Sequence, residues 1–387
     1  MHTAAWRASA QGQWYWPFSL AVTQMNRLSF RHKFAVAGGL VISMVGMLAL
    51  TLLADMAMNL NAVQREQRGL AVLDAALEAL EDIGAQRAAA AGLSAGDTGL
   101  RPHLATATDR AQASSDKVAA LLAGEAADLD LQASWRQVRQ SVAAVSSEAA
   151  IHAFLGDLGE RSGLGLDADV RTHHLAAAAL VGMSEVMARL AQLRTHGAVI
   201  LGQDELPIAD GRQLNLELAQ LQFAGAALSG QITRADAHLA AGGDASTQLR
   251  AAQQAIAASV STAQQTVVSE LLRASLSLPT QDYLHRLSGV SADILAHARR
   301  AILPALQTGL NTREAELMRR IGLALAVMLG GLLLLGVAAA AVFVGVNRAL
   351  ATLLDGARTL GEGQLGHRIT VASSDELAGV AAGFNGM

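Results

Sequence analysis

The sequence predicts an all-α membrane protein: two transmembrane helices flank a long helical bundle, and a short paired-helix module follows. Three observations predict it. Of 387 residues, 52% are apolar but only 3% are aromatic. This is the signature of Ala/Leu helices, membrane spans or both. Five prolines in the whole chain leave room for very long helices. No stretch alternates apolar and polar residues with β-branched side chains, as a half-buried strand requires. At 16% charged residues and a mean hydropathy of +0.31, the chain is too apolar to be disordered. The net charge of −4 gives no global basic field for nucleic acid, so none is expected as a partner. With no cysteine, disulfides, Cys-ligated zinc and thiol catalysis are excluded.

Residues 1–33 form an N-terminal tail on the cytoplasmic side. Trp6, Trp14, Tyr15 and Trp16 cluster in it. That cluster reads either as an interfacial aromatic anchor or as an extension upstream of a start at Met25. Residues 34–54 are the first span, 21 residues without a charge. At 1.5 Å per residue this is about 31 Å of helix, enough for one bilayer core. Residues 321–346 are the second span. Arg27, Arg31 and Lys33 precede the first span, and no Lys or Arg follows it until Arg65. The asymmetry puts the N-terminus inside and residues 55–320 outside. Arg319 and Arg320 oppose that rule, but a long translocated segment crosses largely regardless of its charge.

Residues 55–320 carry 22 Lys/Arg and 29 Asp/Glu, and four aromatics: Trp135, Phe154, Phe223 and Tyr283. Leu70, Leu73, Leu77 and Leu80 form a 3-4-3 seam, as do Met183, Val186, Leu190 and Leu193. Breakers near residues 94–102, 124–130, 161–167, 202–207, 242–244 and 278–280 divide the segment into about seven helices. The first is expected to run out of the first span to about Leu93. The last is expected to run from about Gln281 into the second span, with a kink at Pro304. Alanine-rich seams let helices approach closely and suit a small polar or anionic ligand, or a partner protein.

Two arginines stand on inward faces. Arg87 continues the Leu73–Leu77–Leu80–Gly84 seam, and Arg194 sits on the Met187–Leu190–Gly197–Leu201 edge. A buried guanidinium is costly unless paired, and it is also the natural fork for a planar oxyanion. Two readings follow: the pair converges on a small anion, or each makes an ion pair with the segment's own carboxylates. His152, His173, His174 and His196 invite a metal reading. Adjacent His173 and His174 point about 100° apart on a helix and cannot both face one ion easily. Asp167 and Asp169 resemble a calcium-loop fragment without its Gly and bidentate Glu, so a helix N-cap is the better reading. No metal, cofactor or catalytic constellation is expected.

After the second span, Leu350, Leu353, Ala357 and Leu360 keep a 3-4-3 seam. A Gly-containing connector follows with anchors Leu365, Ile369 and Val371. Asp375-Glu376-Leu377 then opens a second seam of Leu377, Val380, Phe384 and Met387. Two such short helices cannot bury their seams alone, and should pair with a second copy as a parallel four-helix bundle.

Gly363-x-Leu365, Ile369, Val371, Asp375-Glu376-Leu377 and Phe384-Asn385-x-Met387 resemble a HAMP domain, the relay module of bacterial transmembrane sensors. Ala349 stands where the first HAMP helix usually carries proline. The resemblance implies a HAMP core of Leu350, Leu353, Ala357, Leu360, Leu365, Ile369, Val371, Leu377, Val380 and Phe384, with Asp375 and Glu376 starting helix 2, over residues 347–387. It also implies a homodimer in the bacterial inner membrane, with residues 55–320 periplasmic. That segment, with Gln86-Arg87, Leu193-Arg194-Thr-His-Gly197 and Arg161-Ser-Gly-Leu164-Gly-Leu166-Asp167-Ala-Asp169, is similar to the nitrate/nitrite-sensing type of helical sensor domain. The similarity implies that Arg87 and Arg194 bind a small anion such as nitrate or nitrite. It further implies a chemoreceptor (a methyl-accepting chemotaxis protein). Its cytoplasmic signalling partners would engage an output domain beyond Met387. The alternatives are the sensory part of a histidine kinase or diguanylate cyclase, and a membrane-tethered helical scaffold for a partner protein.

Overall fold

The computed structural model describes residues 30–141, 147–166, 169–239, 243–272, 276, 278–364, 366–371 and 376–386. The aromatic cluster Trp6 to Trp16, Asp167, the core position Leu365, the helix-start position Asp375 and the seam residue Met387 lie outside the described residues.

All regular structure among the described residues is helical. In chain order it comprises α1 (Phe30–Ser94), α2 (Arg101–Ala123), α3 (Gln132–Ser141), α4 (Ser147–Ser162), α5 (Val170–Ala177), α6 (Ser184–Gln203), α7 (Ile208–Asp236), α8 (Asp244–Val267), α9 (Thr280–His297), α10 (Leu303–Gly361) and α11 (Glu376–Gly386). The breakers act where the sequence places them: α1 stops at Ser94 with Gly96 at φ +124°, and α6 stops before left-handed Asp204. Between the turns at 124–130 and 161–167, helix is described over α3 and α4.

Three π-helical segments interrupt the α pattern: Ala178–Met183, Val268–Leu272 and Ala298–Ile302. The last ends two residues before Pro304. Proline lacks the N–H for the i→i−4 bond and crowds the carbonyl four residues back. The expected disturbance at Pro304 therefore coincides with a wider turn inside one long helix.

The chain divides into two compact units. One is Met58–Met318, a bundle whose core is contiguous from Val63 on α1 to Leu310 on α10. Both seams read from the sequence are buried in it: Leu70, Leu73, Leu77 and Leu80, and Met183, Val186, Leu190 and Leu193. Three of its four aromatics are core residues. Trp135 packs on Phe154 at 4.9 Å between ring centroids, and its Nε1 donates to the Ser115 carbonyl at 3.1 Å. Tyr283 is also buried, while Phe223 is exposed. Polar contacts tie α1 to α10 along the bundle. Arg313 donates to buried Glu66 at 3.0 Å, and Gln67 donates to Glu314 at 2.9 Å. Arg299, on the third π segment, pairs with Asp74 at 2.5 Å and Glu78 at 2.9 Å.

The other unit comprises the segments on either side of the bundle and contains the apolar stretches of α1 and α10. Their most apolar windows have no protein cover, and large side chains such as Leu48 and Leu334 are exposed. Uncovered apolar surface on that scale suits lipid contact. A third helical run, Thr172–Gln203, is also long and apolar enough to cross a bilayer, but more than half of its apolar window is buried inside the bundle.

Candidate functional site

One turn and a half of α6, Leu193 to Gly197, collects much of the bundle's polar chemistry. Arg194 has a fully buried side chain. Its guanidinium is held by the Glu81 carboxylate in a two-pronged pair, through Nη1 to Oε1 and through Nη2 to Oε2 at 3.0 Å. Nη1 also donates to the Ser288 hydroxyl at 3.1 Å. Its buried Nε has no partner. The planar oxyanion in this fork is thus the chain's own carboxylate. Gly84 makes the pair possible, because a Cβ there would sit 2.9 Å from Arg194 Nη2 and 3.0 Å from the Ala191 Cβ.

Gly197 makes a second close approach possible. A Cβ on it would sit 2.2 Å from the Tyr283 hydroxyl oxygen. With only hydrogen there, the Tyr283 ring lies against α6 and its hydroxyl donates to the Leu193 carbonyl at 2.7 Å. Burial pushes the Tyr283 phenol far above its ordinary range, with nearby Glu217 adding to the rise.

Beside this motif lies a cavity of about 360 Å³. Its walls are Leu80, Ile83, Gly84 and Arg87 from α1, Ile151 from α4, Ser184 to Val199 at helical spacing on α6, and Glu217 from α7. Arg87 lines it and Arg194 does not, so the two arginines lie on neighbouring but separate features. Ser184 and Thr195 spend their hydroxyls on backbone carbonyls, of Leu180 and Ala191.

His196 closes one side. Its Nδ1 lies 3.3 Å from buried Glu217, and its Nε2 lies 3.7 Å from Asp210. The hydrogen bond with Glu217 raises the imidazole above its usual range, against the opposing effect of burial, and the charges of Glu217 and Asp210 add to the rise. Gln213 also donates to Glu217, at 3.0 Å. His174 pairs instead with Gln231 at 3.1 Å, and His152 with Glu185 at 3.8 Å. Among the described residues no three His, Cys, Asp or Glu side chains are grouped to hold a metal.

Two signals were hidden in the sequence. Glu81, one residue after the seam residue Leu80, reads in the sequence as one of many surface carboxylates. Glu217 sits on another helix, 21 residues from His196. Gly84 and Gly197 were legible as seam positions, but not as openings for a guanidinium and a phenol.

The C-terminal module has its own small core. Leu353, Ile369 and Ala381 are buried, and Leu360, Val371, Leu377 and Phe384 pack against them. Leu350 and Ala357 are half-buried, Glu376 is exposed and opens α11, and Val380 is 46% exposed. Ala381, one residue later, takes the inward position. Gly363 turns the chain out of α10 at φ +91°, a conformation that favours glycine. Ile369 then folds back over Gly356, where a Cβ would come within 2.4 Å of its side chain. Asn385 clamps this anchor by donating to the Ile369 carbonyl and accepting its N–H, both at 2.7 Å.

Residues 345–387 match the HAMP domain family. This agrees with the motif reading and indicates transmembrane signal relay. No curated protein and no solved structure matches the chain.

Proposed function

We infer that the chain is a homodimeric transmembrane receptor of the bacterial inner membrane. Its residues 55–320 face the periplasm and sense a small anionic ligand. The HAMP module lies in the cytoplasm and relays the signal, with two packings that differ by a few kcal/mol. The observation carrying this reading is the HAMP match at 345–387, at the end of a helix with an uncovered apolar stretch. Arg87 is assigned the direct ligand contact because it lines the cavity. Arg194 is assigned an indirect part: its pair with Glu81 joins α1 to α6, which carry most of the cavity wall. Nitrate and nitrite are the first anions to test, from the resemblance of the bundle. The output is assigned as a chemoreceptor's on the same ground.

Two measurements test this reading. A topology reporter fused after residue 200 should report the periplasm, and a cytoplasmic signal would overturn the arrangement. Residues 1–387 fused to a chemoreceptor signalling hairpin should control kinase activity in response to an anion. An output that no anion alters, from a correctly inserted fusion, would sink the sensing role.

A further inference from the structure

His196 on α6 has a carboxylate at each ring nitrogen, and both come from α7. Glu217 lies 3.3 Å from Nδ1, and Asp210 lies 3.7 Å from Nε2. A neutral imidazole donates through one nitrogen and presents a lone pair at the other. Only the imidazolium can donate to both carboxylates. With a neutral ring, one carboxylate faces a lone pair. Buried Glu217 then loses the cation beside it and is left with the uncharged donor Gln213 at 3.0 Å. His174 by contrast meets the uncharged Gln231. His196 and Glu217 also line the cavity, from its α6 and α7 sides.

The surrounding groups hold one charge state across the neutral range. Arg87 of α1, which lines the same cavity, and Arg194 of α6, paired with Glu81 of α1, stay cationic. Tyr283 of α9, near Glu217, stays a neutral phenol. The hydrogen bond with Glu217 raises the titration of His196 above its usual value of about 6.5, against burial and with help from both carboxylate charges. The tie is therefore complete below that value and is lost as pH rises through the raised one.

We propose that His196 is a proton-operated latch between α6 and α7: as the imidazolium it holds α7 through Glu217 and Asp210, and on losing its proton it frees α7 from this side of the cavity. With residues 55–320 in the periplasm, the latch makes the receptor answer to the pH of the medium as well as to a ligand. That consequence rests on the topology and relay proposed above, whereas the latch itself does not.

The test is hydrogen exchange of the full chain in nanodiscs at pH 5.5 and pH 8.5, corrected for the intrinsic pH dependence of exchange. Amides of residues 193–203 and 208–218 should lose about tenfold in protection at the higher pH. Those of α3, which carries no histidine, should keep theirs. His196→Gln keeps a hydrogen-bonding side chain that does not titrate, and should abolish the difference. Glu217→Gln should reduce it, and His174→Gln should leave it intact. Circular dichroism at pH 5.5 confirms that each variant is folded. Equal protection at both pH values in the wild type, or a pH response that survives His196→Gln, would overturn the latch. The signalling fusion should change its kinase output between the same pH values, and His196→Gln should not. A constant output over a latch that opens in exchange would overturn the relay reading and leave the latch standing.

Discussion

The bundle of residues 58–318 and the C-terminal HAMP module are written with the same apolar 3-4-3 repeat, yet they finish differently. In the bundle every residue of the two seams is buried, with Leu73, Leu77, Leu190 and Leu193 at 0% exposure. In the module Leu353, Ile369 and Ala381 form a small buried cluster, while Leu354 is 71% and Val380 46% exposed. The difference is one of helix number. Many helices surround and close a core, whereas two short ones leave apolar side chains uncovered. The bundle is therefore self-sufficient in packing and spends its polar groups on internal ties. The module uses the Asn385 clamp on Ile369 to hold its elements together and leaves Leu354 and Val380 exposed.

The sharpest way to break the bundle's self-sufficiency is Glu81→Ala. It strands the buried Arg194 guanidinium, and should cost about 3–5 kcal/mol of bundle stability, as loss of one partner from a buried pair does. Thermal melting followed by circular dichroism reads this. Replacing both members by apolar residues, Glu81→Leu with Arg194→Met, should recover much of the loss. Unchanged melting in Glu81→Ala would mean that the pair ties nothing.

In the module the comparable cut is Asn385→Ala. It removes both hydrogen bonds to Ile369, at about 1–2 kcal/mol in all. Amide exchange should quicken for the connector and α11, while the bundle's melting temperature stays where it was.

A smaller effect tests the tie between α6 and α7. The folded state holds His196 above its unfolded value of about 6.5. Its contribution is fully present below that value and is lost as pH rises through the upward-shifted titration. Bundle stability should therefore fall with rising pH across this window. In His196→Gln that part of the slope should vanish, and a slope left unchanged would assign it to other groups.

Leu354→Ser should have the least effect on the fold of the single chain, within about 0.5 kcal/mol, because the side chain is already exposed. On the homodimer reading it should still weaken self-association, measured by crosslinking or analytical ultracentrifugation. An unaltered dimer would show that Leu354 is not part of the pairing face.

Much of this architecture was legible in the residues. Helical periodicity is local, so the Leu70–Leu80 and Met183–Leu193 seams announced buried faces without knowledge of their partners. The long apolar stretches announced uncovered helices, and the Gly363, Ile369 and Phe384-Asn385 spacing announced the relay module. The exceptions have local physical causes. Pro304 signalled a disturbance but not the π segment that accommodates it, because a missing N–H constrains the preceding turn without specifying its width. Val380 matched the heptad spacing, yet Ala381 turns inward once Ile369 and Leu353 set the angle of α11.

By itself, then, the sequence determined the helices, their inward faces and the HAMP module, since each depends on residues within a few turns of one another. Tertiary structure alone decided what the inward groups do. Arg194 and Arg87 look equivalent as inward arginines. Packing brings Glu81 to one across 113 positions of chain and leaves the other on a cavity wall. His196 likewise acquired its charge partners from α7, and Gly197 its phenol from α9. These outcomes rest on contacts between helices remote in sequence. Helical periodicity says which way a side chain points, and only the packed bundle says what it meets.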